Sequence, residues 1–123
     1  MREIKFRAWD KDFKQMHPVI GIHWEGEFID YGTEGETGLL NDFILMQYTG
    51  IKDKNGREIY EGDIISVLYY RKATILPVAW GIDGWWASGK GWFKSLYDVK
   101  NTAEVIGNIY ENANLLEATD AKS

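Results

Sequence analysis

Apolar residues in this chain occur in short runs that glycines interrupt at frequent intervals. The 13 glycines divide the sequence into segments of strand length, and the abundant aromatic residues favour strands over helices. This pattern predicts a mainly β fold. The predicted strands are residues 3–9, 17–23, 26–31, 43–49, 62–70, 73–80, 84–88, 91–93 and 103–110.

Only two segments have a pattern that is typical of helices. Residues 37–43 (TGLLNDF) can form one helical turn, and residues 112–118 (NANLLEA) predict a short C-terminal helix. Asn112 is placed to accept a backbone N–H as the N-cap of that helix. The polar residues 119–123 are expected to form a frayed tail.

One predicted strand is apolar on both of its sides. In residues 64–70 (IISVLYY), odd- and even-numbered positions both hold apolar side chains, so both faces of the strand are expected to be largely covered. Such a strand belongs inside a barrel or a sandwich.

The length and composition predict one soluble domain. A chain of 123 residues is near the commonest domain size, and we expect a single β domain over residues 1–118. The absence of cysteine excludes disulfides, a thiol nucleophile and cysteine-ligated zinc. No apolar stretch has signal-peptide character or approaches the ~20 residues that span a bilayer, so an intracellular protein with no membrane partner is expected.

The net charge of −5 is distributed unevenly along the chain. Residues 1–14 contain five basic and three acidic side chains, whereas residues 15–51 contain six acidic and no basic ones. Duplex binding depends on lysine and arginine contacts with phosphates, so an acidic chain is a poor candidate for it. The acidic, glycine-rich segment is best interpreted as a solvated loop, with mimicry of nucleic-acid charge as the alternative.

Residues 45–65, LMQYTGIKDKNGREIYEGDII, place carboxylates, lysines and tyrosines within a few residues of one another. Asn55–Gly56 predicts a type I′ hairpin turn, because both central positions of that turn need a positive φ. Gly50 and Gly62 predict two further chain reversals. This run is therefore expected to build turns first.

The carboxylates of the same run have two interpretations. Asp53 can accept a hydrogen bond from its own backbone two residues on, and Asp63 is expected to do the same. Alternatively, Glu61 and Asp63 form a catalytic or Mg²⁺-binding pair, with Asp53 or Glu58 as a third oxygen ligand. No phosphate-binding glycine loop or nucleophile elbow accompanies them, so the turn interpretation is favoured.

The two histidines make a weak metal site. Pro18 and Gly21 interrupt the strand that would align His17 with His23, so surface or hydrogen-bonded imidazoles are expected. No metal, cofactor or catalytic residue is predicted.

A second cluster, residues 79–93, contains four of the six tryptophans among four glycines. Such a segment can be a stacking platform for a ligand, or adjacent tryptophans can point to opposite strand faces, one into the core and one over an edge. The predicted partner surface, for another protein or for a second copy of this chain, comprises Trp85, Trp86, Lys90 and Trp92. The acidic segment 25–42 is the alternative surface.

Three blocks of the chain resemble the YopX family of phage and prophage proteins. They are IKFRAWDKDFKQM (4–16), the central run 45–65, and EVIGNIYEN (104–112). The resemblance implies a small SH3-like β-barrel with additional strands, and a phage or prophage protein of the bacterial host cytoplasm. It supplies no catalytic residue. The family often has proline where this chain has Ala113, which affects only the helix start.

Together these features predict a non-catalytic phage or prophage accessory protein that acts by binding a host or phage protein. A small metal-dependent hydrolase using Asp53, Glu61 and Asp63 is the first alternative. The second is a single-strand nucleic-acid module that uses the tryptophans, which the acidic charge makes less favourable.

Overall fold

The computed structural model describes residues 4–69, 71–81, 84–89 and 92–116. It is mainly β, as the sequence pattern predicts, and the described residues form eleven strands. The chain divides into two compact units, Met1–Tyr48 and Thr49–Ser123. The single domain over residues 1–118 stays a prediction, and the expected tail lies outside the described residues.

The first unit is an antiparallel sheet. Its elements are β1 (Phe6–Asp10), β2 (Gln15–His23), β3 (Phe28–Tyr31), β4 (Glu36–Leu39), a 3-10 turn (Leu40–Asp42) and the start of β5 (Phe43–Lys52). The strands are adjacent in the order β4-β3-β2-β1-β5. Ala8, Ile29 and Phe43 are the buried centre of this sheet's core. Gly38 leaves room for the core, because a Cβ there would lie 2.5 Å from the Phe43 ring.

The second unit is built mainly around a five-stranded antiparallel sheet. Its elements are the end of β5, β6 (Glu58–Tyr60), β7 (Asp63–Tyr69), β8 (Lys72–Gly81), β9 (Gly84–Gly89), β10 (Trp92–Ser95), helix α1 (Leu96–Val99) and β11 (Glu104–Asn108). β5 lies beside β6, and the other strands follow the order β10-β9-β8-β7-β11. Ile65, Leu76 and Leu96 are central to its core, and each is at most 2% exposed.

Two strands and one helix were not predicted from the sequence. β4 occupies residues that were expected to form a helical turn, and only Leu40–Asp42 of the predicted 37–43 is helical. β6 has three residues, which is too short for a clear alternation. Helix α1 was missed because its four residues cannot show a helical period.

The predicted C-terminal helix begins within the described residues. Residues 114–116 are helical, and the remainder of the predicted 112–118 lies outside them. The Asn112 side chain also bonds the preceding strand, because its Oδ1 accepts the backbone N–H of Asn108 at 3.1 Å, and its role as an N-cap stays a prediction. None of the helices in the described part of the chain is long and apolar enough to cross a membrane.

The strands in the described ranges form no closed barrel, so the SH3-like barrel is not confirmed. The prediction that both faces of 64–70 are covered is wrong at Leu68. Ile64, Ile65 and Val67 are at most 1% exposed, but Leu68 is 57% exposed. Gly50 has a φ of 82° within β5 and therefore distorts a strand rather than reversing the chain.

Candidate functional site

The loop between β5 and β6 is a three-residue hairpin loop rather than a type I′ turn. The Gly56 N–H donates to the Asp53 carbonyl at 3.0 Å, which makes Lys54 and Asn55 the central residues of the turn. Gly56 has a φ of 83°, but Asn55 does not have a positive φ. The loop is thus a type I turn followed by a left-handed glycine, and the predicted conformation of Asn55 is wrong.

The Asp53 carboxylate organises this loop. Its Oδ1 accepts the backbone N–H groups of Asn55 and Arg57, both at 2.9 Å, and its Oδ2 accepts that of Val105 at 2.9 Å. The bond to Asn55 is the one that the sequence predicts. Burial by itself would raise the pKa of Asp53, but the donors on Val105, Arg57 and Asn55 outweigh it and lower the pKa below its ordinary value.

The same loop covers one edge of the second sheet. β11 is a terminal strand, and the Lys54 N–H donates to the Ala103 carbonyl at 2.9 Å just before it. With the Asp53 bond to Val105, the loop satisfies two backbone groups that an exposed edge would leave to water or to another chain. The loop between β5 and β6 therefore links Asp53 to Val105, which lies 52 positions later in the chain.

Asp63 has a similar structural role at the next turn. Its side chain is 2% exposed, and Oδ2 accepts the Tyr60 N–H at 2.7 Å. The bond thus points three residues back, whereas the sequence pattern predicts a bond two residues on. Gly62 has a φ of 85°, and its N–H and carbonyl bond Val78 and Ile109, both at 2.9 Å.

Asn108 is a third buried polar residue, and the sequence pattern did not single it out. Its Oδ1 accepts the N–H groups of Tyr110 and Glu111, and its Nδ2 donates to Glu111 Oε1 at 2.9 Å. Gly107 is required beside it, because a Cβ there would lie 2.5 Å from Asn112 Oδ1. An asparagine at the end of a strand is the sequence signal for this turn.

The carboxylates expected for a hydrolase do not form a metal-binding group among the described residues. No three His, Cys, Asp or Glu side chains in that part of the chain are placed to hold one ion. Asp53 and Asp63 direct oxygens at backbone N–H groups. This geometry gives the hydrolase alternative no support.

Two tryptophans meet at the end of the β8–β9 hairpin. Trp80 lies opposite Trp85, with ring centroids 4.8 Å apart and planes at 71°. Trp85 is 7% exposed and belongs to the core, whereas Trp80 is 58% exposed. The Trp85 Nε1–H is buried and has no acceptor among the described residues. Leaving such a donor unpaired costs about 1–3 kcal/mol.

Trp86 points to the opposite face from Trp85, as strand alternation predicts. It is half-buried, and its ring covers Gly81, where a Cβ would lie 2.1 Å from Trp86 Cδ1. Of the predicted partner surface, Lys90 and the side chain of Trp92 lie outside the described residues. The surface as a whole stays a prediction.

A further cluster lies on the solvent-facing side of β2–β4 and is called here the His23 face. Its residues, His23, Phe28, Asp30, Thr37 and Leu39, come from three adjacent strands. His23 Nε2 lies 2.8 Å from Asp30 Oδ2, and the Thr37 hydroxyl donates to Asp30 Oδ1 at 3.0 Å. The His23 and Phe28 rings stack at 4.3 Å.

The hydrogen bonds of Asp30 keep it ionised. The hydrogen bond with His23 has the largest effect and the bond from Thr37 the next largest. Together they lower the pKa of Asp30 below its ordinary value. Sequence analysis predicts hydrogen-bonded histidines but no partner for His23. The signal it missed is the pair Gly32 and Gly35, whose φ values of 78° and 73° shape the β3–β4 hairpin and bring Thr37 beside Asp30.

The fold and its buried turn network define a small, mainly β protein of antiparallel sheets. A family model for YopX protein matches residues 5–117, and the chain belongs to that family, which confirms the resemblance of its three blocks.

Two solved structures share the fold of this chain. Protein EF1440 from Enterococcus faecalis is similar over 94% of this chain and 99% of its own, with 27% identity and a TM-score of 0.69. Protein yopX from Bacillus subtilis has the same coverage, with 20% identity and a TM-score of 0.64, which shows a likeness of fold. No curated protein matches the chain significantly.

Proposed function

We propose that this chain is a non-catalytic binding module whose partner surface is centred on Trp80, at the end of the β8–β9 hairpin. The partner is a protein, and a second copy of the chain is the other occupant that the test must distinguish. The phage or prophage origin and the bacterial cytoplasm belong to this proposal and rest on the family resemblance alone.

The exposure of Trp80 is the observation on which the proposal depends. More than half of this large side chain is accessible, while its ring rests on the buried Trp85. A tryptophan buries much apolar area in a complex at a small cost in side-chain entropy, and truncating such residues often costs 2 kcal/mol or more. The buried indole N–H of Trp85, which has no acceptor within the described ranges, is a second feature of this hairpin end.

The buried polar residues of the second and third blocks support binding over catalysis. Asp53, Asp63 and Asn108 are the most reaction-like side chains of the second unit, and each is at least nine-tenths buried. All three accept backbone N–H groups, which holds them in turns rather than in an open cleft.

Site-specific photocrosslinking tests the proposal directly. A photoreactive phenylalanine analogue is introduced at Trp80, and the same analogue at Leu68 provides a matched control. Leu68 is 57% exposed and lies in the same sheet, so the two probes sample surfaces of equal accessibility. We expect an adduct of discrete mass at position 80 and none at position 68 when the protein is irradiated in bacterial cells.

The adduct's mass spectrum distinguishes a different protein from a second copy of this chain. In affinity capture with tagged protein that has no photoreactive residue, Trp80→Ala is expected to lose the partner that the adduct identifies, or to dissociate the oligomer, with an unchanged circular dichroism spectrum. Equal crosslinking at both positions, or none at position 80, would show that this surface binds nothing specific.

A further inference from the structure

The His23 face is an exposed sheet face whose opposite side is filled. Ile29, on the inner side of β3, is 0% exposed, and Phe43 packs over Gly38 of β4 on that side. The outer side is different, since Leu39 is 63% exposed and the His23 side chain is 46% exposed. One face of this sheet therefore packs in the core of the first unit, and the other face is exposed to solvent.

The open face has aromatic and apolar groups in a fixed arrangement. Phe28 is held between His23, on which it stacks, and Gly26, where a Cβ would lie 2.6 Å from the Phe28 ring. Leu39 lies directly opposite Phe28 on β4, and Trp24, in the adjoining β2–β3 turn, is 65% exposed.

The charges that β2–β4 and their turns place around this face have one sign, while Lys5, just before β1, lines a depression beside Gly21 and Ile22 of β2. Asp30 lies within it, exposed Glu25 and Glu27 lie in the turn at one end, and exposed Glu34 lies in the turn at the other. No lysine or arginine occurs between residues 15 and 51. The surroundings thus complement a cation, and they repel phosphate groups.

The edge beside this face is also available. β4 is the terminal strand of its sheet, and antiparallel pairing leaves alternate backbone N–H and C=O groups of a terminal strand directed outwards. An extended segment that pairs with such an edge places every second side chain on the same face as Thr37 and Leu39.

From these observations we propose that the His23 face binds an extended, arginine- or lysine-bearing segment of another protein, which adds to the sheet alongside β4. The cationic side chains of that segment pair with Asp30 and the turn glutamates. Apolar side chains of the segment contact Leu39. This site lies in the first unit and is independent of Trp80.

A second copy of the chain is the weaker occupant. Pairing two β4 strands would bring two acidic edges together, and like charges opposite one another destabilise strand pairs. An incoming segment of opposite charge meets no such cost.

The test is fluorescence anisotropy with a labelled peptide of sequence Arg-Thr-Val-Thr-Arg-Thr-Val-Thr, whose arginine and valine side chains alternate along one face of an extended strand. A peptide with glutamate in place of arginine is the charge control. We expect the basic peptide alone to bind, and its affinity to fall several-fold between 50 and 300 mM NaCl, because exposed ion pairs are screened by salt.

Two triple variants separate the site from the overall charge of the protein. Glu25→Gln, Glu27→Gln and Asp30→Asn remove three charges at the face, whereas Asp12→Asn, Asp98→Asn and Glu104→Gln remove three charges elsewhere. Each exposed ion pair changes the dissociation constant by up to about fivefold. The first variant is therefore expected to weaken peptide binding about tenfold, and the second less than twofold. Leu39→Ala is expected to weaken binding too, and each variant's melting temperature verifies folding.

Three results would overturn this inference. They are an equal loss in both triple variants, no binding of the basic peptide at millimolar concentration, and a dimer that Leu39→Asp dissociates, which would assign the face to a second copy. Trp80→Ala is expected to leave peptide binding unchanged. Failure here is therefore separable from failure of the proposed Trp80 surface.

Discussion

Replacing Asp53 with alanine should destabilise the fold far more than the loss of one surface carboxylate. The substitution leaves three backbone N–H groups without their acceptor. The Val105 N–H is buried, and leaving it unpaired costs about 1–3 kcal/mol, while the two loop donors at Asn55 and Arg57 can bond water and cost about 0.5–1 kcal/mol each. We expect a loss of about 3 kcal/mol, which corresponds to a fall in Tm on the order of 10 °C.

The pH dependence of this loss identifies its cause. The pKa of Asp53 lies below its ordinary value of 3.8 in the folded protein. Its stabilisation is therefore complete above the unfolded pKa and is lost as pH falls through the folded pKa. The difference in free energy of unfolding between the native protein and Asp53→Asn should stay constant from pH 7 to 5 and narrow below about pH 4.

Urea unfolding at a series of pH values measures both effects. Asp98→Ala is the control, because Asp98 is an exposed aspartate of the same unit. A loss below 1 kcal/mol for Asp53→Ala, or a difference that is independent of pH down to 3, would show that the carboxylate does not hold the loop to β11.

Three further perturbations test the turns and the carboxylates. Gly56→Val should cost about 1–2 kcal/mol, because a β-branched residue is strained at a φ of 83°, whereas Lys54→Val in the same loop should cost less; equal melting temperatures would contradict the left-handed assignment. Gly107→Ala should cost about 1–3 kcal/mol in urea unfolding, because it displaces Asn112 from the Asn108 N–H, and an unchanged midpoint would refute that contact. Adding Mg²⁺, Mn²⁺ or Zn²⁺ should leave Tm unchanged. A real metal site, at a metal concentration of 100 times its Kd, would raise the free energy of unfolding by about 2.7 kcal/mol. A rise in Tm of that origin would favour the hydrolase.

Local structure was predictable where a single residue type determines the backbone conformation. Gly56 and Gly62 have the left-handed conformation that turn-forming glycines suggest, and Asp53 bonds its own backbone two residues on. The opposite orientations of Trp85 and Trp86 also follow from strand alternation alone. These predictions needed no knowledge of what lies across the sheet.

Features that depend on distant residues were not predictable. The Asp53 bond to Val105 spans 52 positions, and no spacing rule brings those residues together. The exposure of Leu68 depends on which neighbour covers its side of the strand, so an apolar sequence did not reveal it. The local sequence predicts a helical turn at Thr37, and a helical turn there does not place Thr37 beside Asp30.

The distribution of buried polar residues explains why the family motif does not identify an activity. Among the described residues, the buried polar side chains are Asp10, Thr49, Asp53, Asp63 and Asn108. All lie in the three blocks that match the YopX family, and each bonds backbone groups of a turn or a strand.

The exposed aromatic and apolar groups proposed for binding lie elsewhere. Trp24 and Leu39 fall between the first and second blocks, and Trp80 falls between the second and third. A motif that fixes turns constrains the fold without constraining the side chains exposed between its blocks, because the exposed side chains proposed for binding take no part in the turn bonds. Members with the same blocks are therefore expected to share this framework while differing in what they bind, and the His23 face and Trp80 are the places where this chain's own specificity should be sought.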